Sequence, residues 1–180
     1  MPENKVTFGL KNVHIAPVKT IGADGVITYD EVFRFPGAMD LTLDPKGDSG
    51  AVKADDIDYH FINSNEGYDG KLKVPHIIEA FATKILGEIK DSQTGVMTEK
   101  GDAEPTAFAI MFEFSGDKNK TRHVLYYCSA SRPSNGSSTK NGTNVNEREL
   151  SFKASPRPLD SVIKRSITSA AVSYTHLTLP

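Results

Sequence analysis

Few side chains in this sequence stand where catalytic chemistry could use them. Gly47-Asp48-Ser49-Gly50 sets a serine between glycines, the wording around the nucleophile of trypsin-like serine proteases. That chemistry needs a histidine base and an aspartate partner converging on the hydroxyl, and in that class the serine comes last along the chain. Here Ser49 comes early and only His14 precedes it, so a solvent loop is the better reading of the tetrapeptide. Cys128 follows His123 by five residues, a thiol and an imidazole of the kind that make a nucleophile–base pair. An odd spacing on a strand puts the two on opposite faces, and cysteine is a common core residue. His76 and Glu79 are spaced for one helix face, yet two ligands make no zinc site and no third is near in sequence. No glycine-rich, phosphate-cradling turn precedes a helix. The sequons at Asn119, Asn135 and Asn141 carry no weight without a secretion signal. The reading therefore assigns no catalytic, cofactor-binding or metal-ligating residue, expects no cofactor, and expects the protein not to be an enzyme.

Composition agrees with a scaffold. The 180 residues are 38% hydrophobic and 24% charged, the range of an ordinary globular chain able to bury a core. No run approaches the roughly 18 apolar residues of a membrane span, so no membrane partner is expected. Met1 to Leu10 is polar and alternating, unlike a signal peptide, and the single cysteine excludes an internal disulfide. The net charge of −2 hides an asymmetry. Residues 40–70 carry eight acids against two lysines, whereas residues 117–180 carry ten bases against four acids. Such a split suits nucleic-acid binding or the meeting of unlike surfaces on two subunits. The basic third is interleaved with prolines and acids and has no recognition helix or stacking platform, which favours protein contact.

The elements that must position these residues are mostly short strands with period-2 alternation. Val13 and Ile15 point inward; Gly22-Ala-Asp-Gly25 is a turn; Ile27 to Phe35 alternates imperfectly; Leu41 and Leu43 face in against Asp40, Thr42 and Asp44. Residues 44–58 lack an apolar pattern and read as a long acidic exposed loop, and residues 132–147, rich in Gly, Ser, Asn and Thr, as a second long loop. Ile77, Ile78, Phe81, Ala82, Ile85 and Leu86 predict one helix of about three turns, entered after Pro75 and ended at Gly87. Ala107–Phe114 and His123–Ala130 read as neighbouring central strands, followed by Glu149–Ser155 and a last strand within Val162–Thr168. The fold class is mainly β: an antiparallel β-sandwich or barrel of nine or ten strands with one flanking α-helix and long assembly loops. One domain is expected over residues 1–170, with 171–180 (AVSYTHLTLP) an atypical, non-native-looking C-terminal tail.

Several segments resemble, in order, the major tail proteins of long-tailed phages and prophages of Gram-positive bacteria. They are KVTFGLKNVHIAPV (Lys5 to Val18), PGAMDLTLDPKGDS (Pro36 to Ser49), ADDIDYHF (Ala54 to Phe61), NEGYDGKL (Asn65 to Leu72), the stretch Ala107 to Lys140, and ELSFKASPRP (Glu149 to Pro158). The resemblance implies a tail-tube subunit: a β-sandwich or barrel with a flanking helix, assembled into stacked, typically hexameric rings that form the channel for DNA ejection. It implies a virion location, with the host cytoplasm before assembly. The partners it implies are other copies of the chain, the tape measure, tail terminator and distal tail proteins, and DNA as transient lumen cargo. It supplies no catalytic residues. The alternative is a β-sandwich surface or carbohydrate-binding module of a phage tail. That role wants exposed aromatics on the long loops, where only Tyr68 lies nearby.

Overall fold

Period-2 alternation decides which face of each strand is buried. The computed structural model describes residues 8–54, 57–134 and 147–169, with the backbone alone over 51–54 and 57–62. Among the described residues the strands are β1 (Leu10–Ile21), β2 (Ile27–Tyr29), β3 (Phe33–Arg34), β4 (Asp40–Lys46), β5 (Ser49–Ala54), β6 (Ile57–Asn63) and β7 (Gly67–Val74). The helix α1 (Glu79–Lys84) follows, then β8 (Ile89–Lys90), β9 (Met97–Thr98), β10 (Phe108–Phe114), β11 (Arg122–Ala130), β12 (Arg148–Ala154) and β13 (Lys164–Ile167). Nine strands form one antiparallel sheet along the path β2-β1-β10-β11-β12-β7-β4, with β3 added on β1 and β13 on β11. The mainly β, one-helix class read from the sequence is the architecture found.

One cluster joins the inward residues of every long strand of that sheet. Val13 and Ile15 of β1, Phe108 and Ile110 of β10, Leu125 of β11, Leu150 and Phe152 of β12 and Leu72 of β7 share it with Phe81 and Ala82 of the helix. Phe81 is the wedge. Its ring meets Phe35 at 5.3 Å and Phe108 at 5.7 Å, both edge-on, and Phe108 passes the contact to Phe152 at 6.2 Å. Edge-to-face packing of this kind adds to the burial of three large rings.

The helix is shorter than the sequence suggests. Only six residues are helical. Ile78 at its start is extended and gives no side-chain cap. At its end Leu86 N donates to Phe81 O and Glu88 N to Ala82 O, so the chain widens out of the α-helical register before Gly87, which sits at φ +76. A helix this short has no stability of its own in water. It persists because Phe81, Ala82, Ile85 and Leu86 are buried against the sheet.

A second difference follows from a bulge. Phe108 pairs with Cys128 and Ile110 with Leu125, so between these pairs one residue of β10 faces two of β11. The extra residue shifts parity. Leu125 and Cys128 therefore lie on the same core face, and His123, paired with Phe112 and stacked on its ring at 5.1 Å, shares that face. The opposite-face expectation for Cys128 and His123 fails for this reason.

Phe81→Ala removes the wedge between three elements. Truncating a buried Phe costs about 3–5 kcal/mol. Chemical denaturation should show that loss, with a lower midpoint and an unchanged slope.

Candidate assembly surface

Most of residues 44–58 is strand and not loop: 44–46 end β4, 49–54 are β5 and 57–58 open β6. β4 pairs with β7 from Asp40↔Lys73 to Lys46↔Gly67, and β5 pairs with β6 from Ser49↔Asn63 to Ala54↔Ile57. Ser64 N to Asp48 O at 2.8 Å and Glu66 N to Lys46 O at 2.9 Å carry the backbone ladder across the junction. The whole is one long ribbon. Its inner half lies on the sheet, and its outer half, β5–β6, is a separate two-stranded arm. Polar alternation hid it, because backbone pairing needs no apolar face. Asp55 and Asp56, and the side chain of Asp58, lie outside the described residues, as do 135–146 of the second long loop and the tail 170–180.

Two glycines set the root of the arm. A side chain at Gly47 would strike the carbonyl of Ser64. Gly67, at φ +114, lies where a Cβ would strike the carbonyl of Ala154. Asp44 stands opposite Asp69 on the root, a like-charge cross-strand pair that weakens pairing there.

The inner half carries the sheet's outermost strand. β4 exposes Asp40, Thr42 and Asp44 on one face while Leu41 and Leu43 pack toward the core. Pro45 has no N–H to offer a further strand.

The basic end of the chain makes a second edge. β11 shares one side between two partners: Cys128 to Ala130 with β12, and Arg122 to Leu125 with β13. Between β12 and β13 the chain leaves the sheet and returns, held by a latch. Arg157 lies buried, its guanidinium 4.4 Å over the Tyr126 ring, and binds Asp160 through two hydrogen bonds of 2.6 and 2.7 Å. The Tyr29 hydroxyl donates to Tyr126 O at 2.8 Å. Burial pushes that phenol up to about 12. The hydrogen bond from Arg157 holds the Asp160 carboxyl at about 2.

The residues of the sequence motifs do not converge on a reaction centre. Ser49 opens β5, exposed, opposite Asn63. Cys128 is fully buried, and burial pushes its thiol well above the ordinary range. His123 is held below the usual imidazole range by its own burial and by Lys164. Glu79 is gripped by Lys90 at 2.8 Å rather than turned to His76. His76 instead lines an open cleft of about 330 Å³ beside Met97, Arg132 and Arg148, where Arg132 is bound to Glu99 at 2.7 Å. A second groove, of about 420 Å³, is bordered by His14, His123 and Glu113, and Glu113 is engaged by Asn12, Lys11 and Arg122. Among the described residues no group of three or more His, Cys, Asp and Glu side chains could hold a metal, and no helix is long and apolar enough to cross a membrane.

Against known proteins, no family model and no curated sequence matches the chain. Solved structures do. The cap that terminates the tube of the anti-feeding prophage superposes with a TM-score of 0.50 over 88% of this chain and 89% of that one, at 8% identity. At that identity the likeness establishes the fold.

Sequence reasoning reads Tyr59 to Ile62 as a short strand, within β6, but misses its partner β5 and the latch. A signal for the arm existed: Val52 and Tyr59 to Ile62 are good strand formers flanking a polar centre. For the latch no local signal existed, since Arg157 and Tyr126 are far apart in the chain.

Two outcomes follow. The folded-state pKa of Asp160 lies below its ordinary 3.8, so the latch stabilises the protein fully above that value and fades as pH falls through about 2. Asp160→Asn should lower the melting temperature at pH 7, and its difference from the parent should close on acidification toward pH 2. Cys128 should react with a thiol reagent only at the rate of unfolding, so that added denaturant, not higher pH, accelerates labelling.

Proposed function

We propose that this chain is a structural protein of a phage-type tail: a tail-tube subunit that assembles with copies of itself and catalyses no reaction. The observation that carries the proposal is the shared fold, which extends over nearly the full length of a tube-terminating cap. Among the described residues β4 and β13 pair on one side only and β5–β6 form a separate two-stranded arm, which supports it, because such edges invite further strands. The ordered sequence resemblance to major tail proteins points the same way. Joining one patch to a different patch on the next subunit closes a ring when the rotation allows, and the charge split between residues 40–70 and 117–180 provides unlike patches. On this reading the rings are hexameric and stack. Tape measure, terminator and distal tail proteins are the further partners, and DNA passes through without being held. A lumen that binds phosphate would retain the duplex, so the lumen face is neutral or acidic.

A cap and a tube subunit differ in whether rings stack. Negative-stain electron microscopy of the purified chain over a range of concentrations separates them. Stacked rings or hollow tubes are the expected result. Single rings that never stack would assign the capping role instead, and monomers at every concentration would overturn self-assembly.

A further inference from the structure

Folding leaves the hairpin β8–β9 with apolar side chains in water: Ile89 is 49% exposed and Val96 56%. The hairpin is nevertheless firmly built. Asp91 closes its turn, its carboxylate accepting from Gln93 N at 2.8 Å and Thr94 N at 3.2 Å, while Asp91 N donates to Val96 O at 2.9 Å. Two ion pairs tie its legs to the body, Lys90 to Glu79 at 2.8 Å and Arg132 to Glu99 at 2.7 Å. Strand pairing sets its faces. Ile89 lies opposite Thr98 and Lys90 opposite Met97. Val96 and Thr98 alternate with Met97, so Ile89 and Val96 share one face, and Met97 turns to the cleft beside His76 and Arg132. An apolar knob held rigid in this way loses little freedom when it binds.

A hollow that suits the knob lies across the sheet from it. On β10, Met111 and Glu113 alternate with Ile110 and Phe112, which belong to the core cluster with Phe81. Met111 and Glu113 therefore face away from the helix. Met111 and Val32, which is 46% exposed, give apolar wall to the groove of about 420 Å³. The salt bridge from Lys90 to Glu79 keeps the hairpin beside the helix, so a copy does not fill its own groove. The charges around the two features are opposite. Arg122 lines the groove, Lys11 shares Glu113 with it, and Arg34 pairs across from the lining residue His14, which sets three bases against one acid. The hairpin and its flanks, residues 88–104, carry Glu88, Asp91, Glu99, Asp102 and Glu104 against Lys90 and Lys100. Apolar surface is matched to apolar surface, and the surrounding charges select the pairing.

We propose that Ile89 and Val96 of one copy enter the groove beside Val32 and Met111 of a second copy. The contact rests on the reading of the chain as a self-assembling subunit. It is heterologous: each copy gives a hairpin and receives one, so the contact passes from subunit to subunit. Two aliphatic side chains make a weak single contact, and repetition around a ring supplies the strength.

Disulfide trapping in the full-length chain tests it. The native thiol, Cys128, is buried and stays silent. Mild oxidation of Val32→Cys/Val96→Cys under assembling conditions should give a ladder of covalent dimers, trimers and larger species on a non-reducing gel. Each single-cysteine variant should run as a monomer, because Val32 meets Val96 and neither meets itself. Val96→Lys supplies the second reading. The side chain is exposed, so thermal melting should match the parent, while the concentration at which light scattering and electron microscopy detect assembly should rise about tenfold or more. If the parent assembles but the double-cysteine chain gives no ladder, or Val96→Lys assembles at the parent's concentration, this contact is overturned while the tail-tube reading stands. If the parent itself never assembles, that reading fails and the contact with it.

Discussion

Everything in this structure hangs on the insertion of Phe81 between Phe35 and Phe108. A sheet with one open face must cover it, and here the cover is a six-residue helix that could not exist alone. The rings fix the helix to β10, and through Phe108 and Phe152 to β12. Because β10 and β11 stand at the centre of the sheet, this contact holds the strands whose flanks carry the edges and the arm.

The opposite face is covered by economy of another kind. Instead of a second layer, the chain between β12 and β13 folds back as a short strap, and Arg157 lies flat on Tyr126 with its charge matched by Asp160. A guanidinium tolerates such burial because its plane stacks on a ring while its fork meets a carboxylate. The strap sets β13 on half of the β11 flank and β12 on the other half. The two partners of β11 are a direct result, and among the described residues β13 pairs with β11 alone.

The residues of each motif are kept apart from a reaction centre by a physical cause of their own. Gly47 is needed to let the ribbon cross at the carbonyl of Ser64, so this glycine of the tetrapeptide serves backbone approach and not a nucleophile's turn. Cys128 is core because a bulge turned it inward, where desolvation disfavours the thiolate. Glu79 meets a lysine brought back by the β8–β9 hairpin. Each motif became part of the scaffold.

Local patterning by itself determined the strands whose two faces differ or whose both faces are apolar: the inward Val13 and Ile15, the pairing of Phe108–Phe114 with the strand after Gly116, the inward Leu150, Phe152 and Ala154, and a last strand near Lys164. It also determined the opposed charges of residues 40–70 and 117–180. Tertiary structure alone decided the rest. The arm is strand because its two halves satisfy each other's backbone, a gain that polar side chains do not announce. The helix ends early because its neighbours, not its sequence, stabilise each turn. The parity of Cys128 and His123 depends on one unpaired residue in a ladder, and the buried Arg157 on a ring thirty-one positions away along the chain. Period and propensity are local quantities, whereas bulges, latches and exposed edges come from contacts between segments that are distant in sequence.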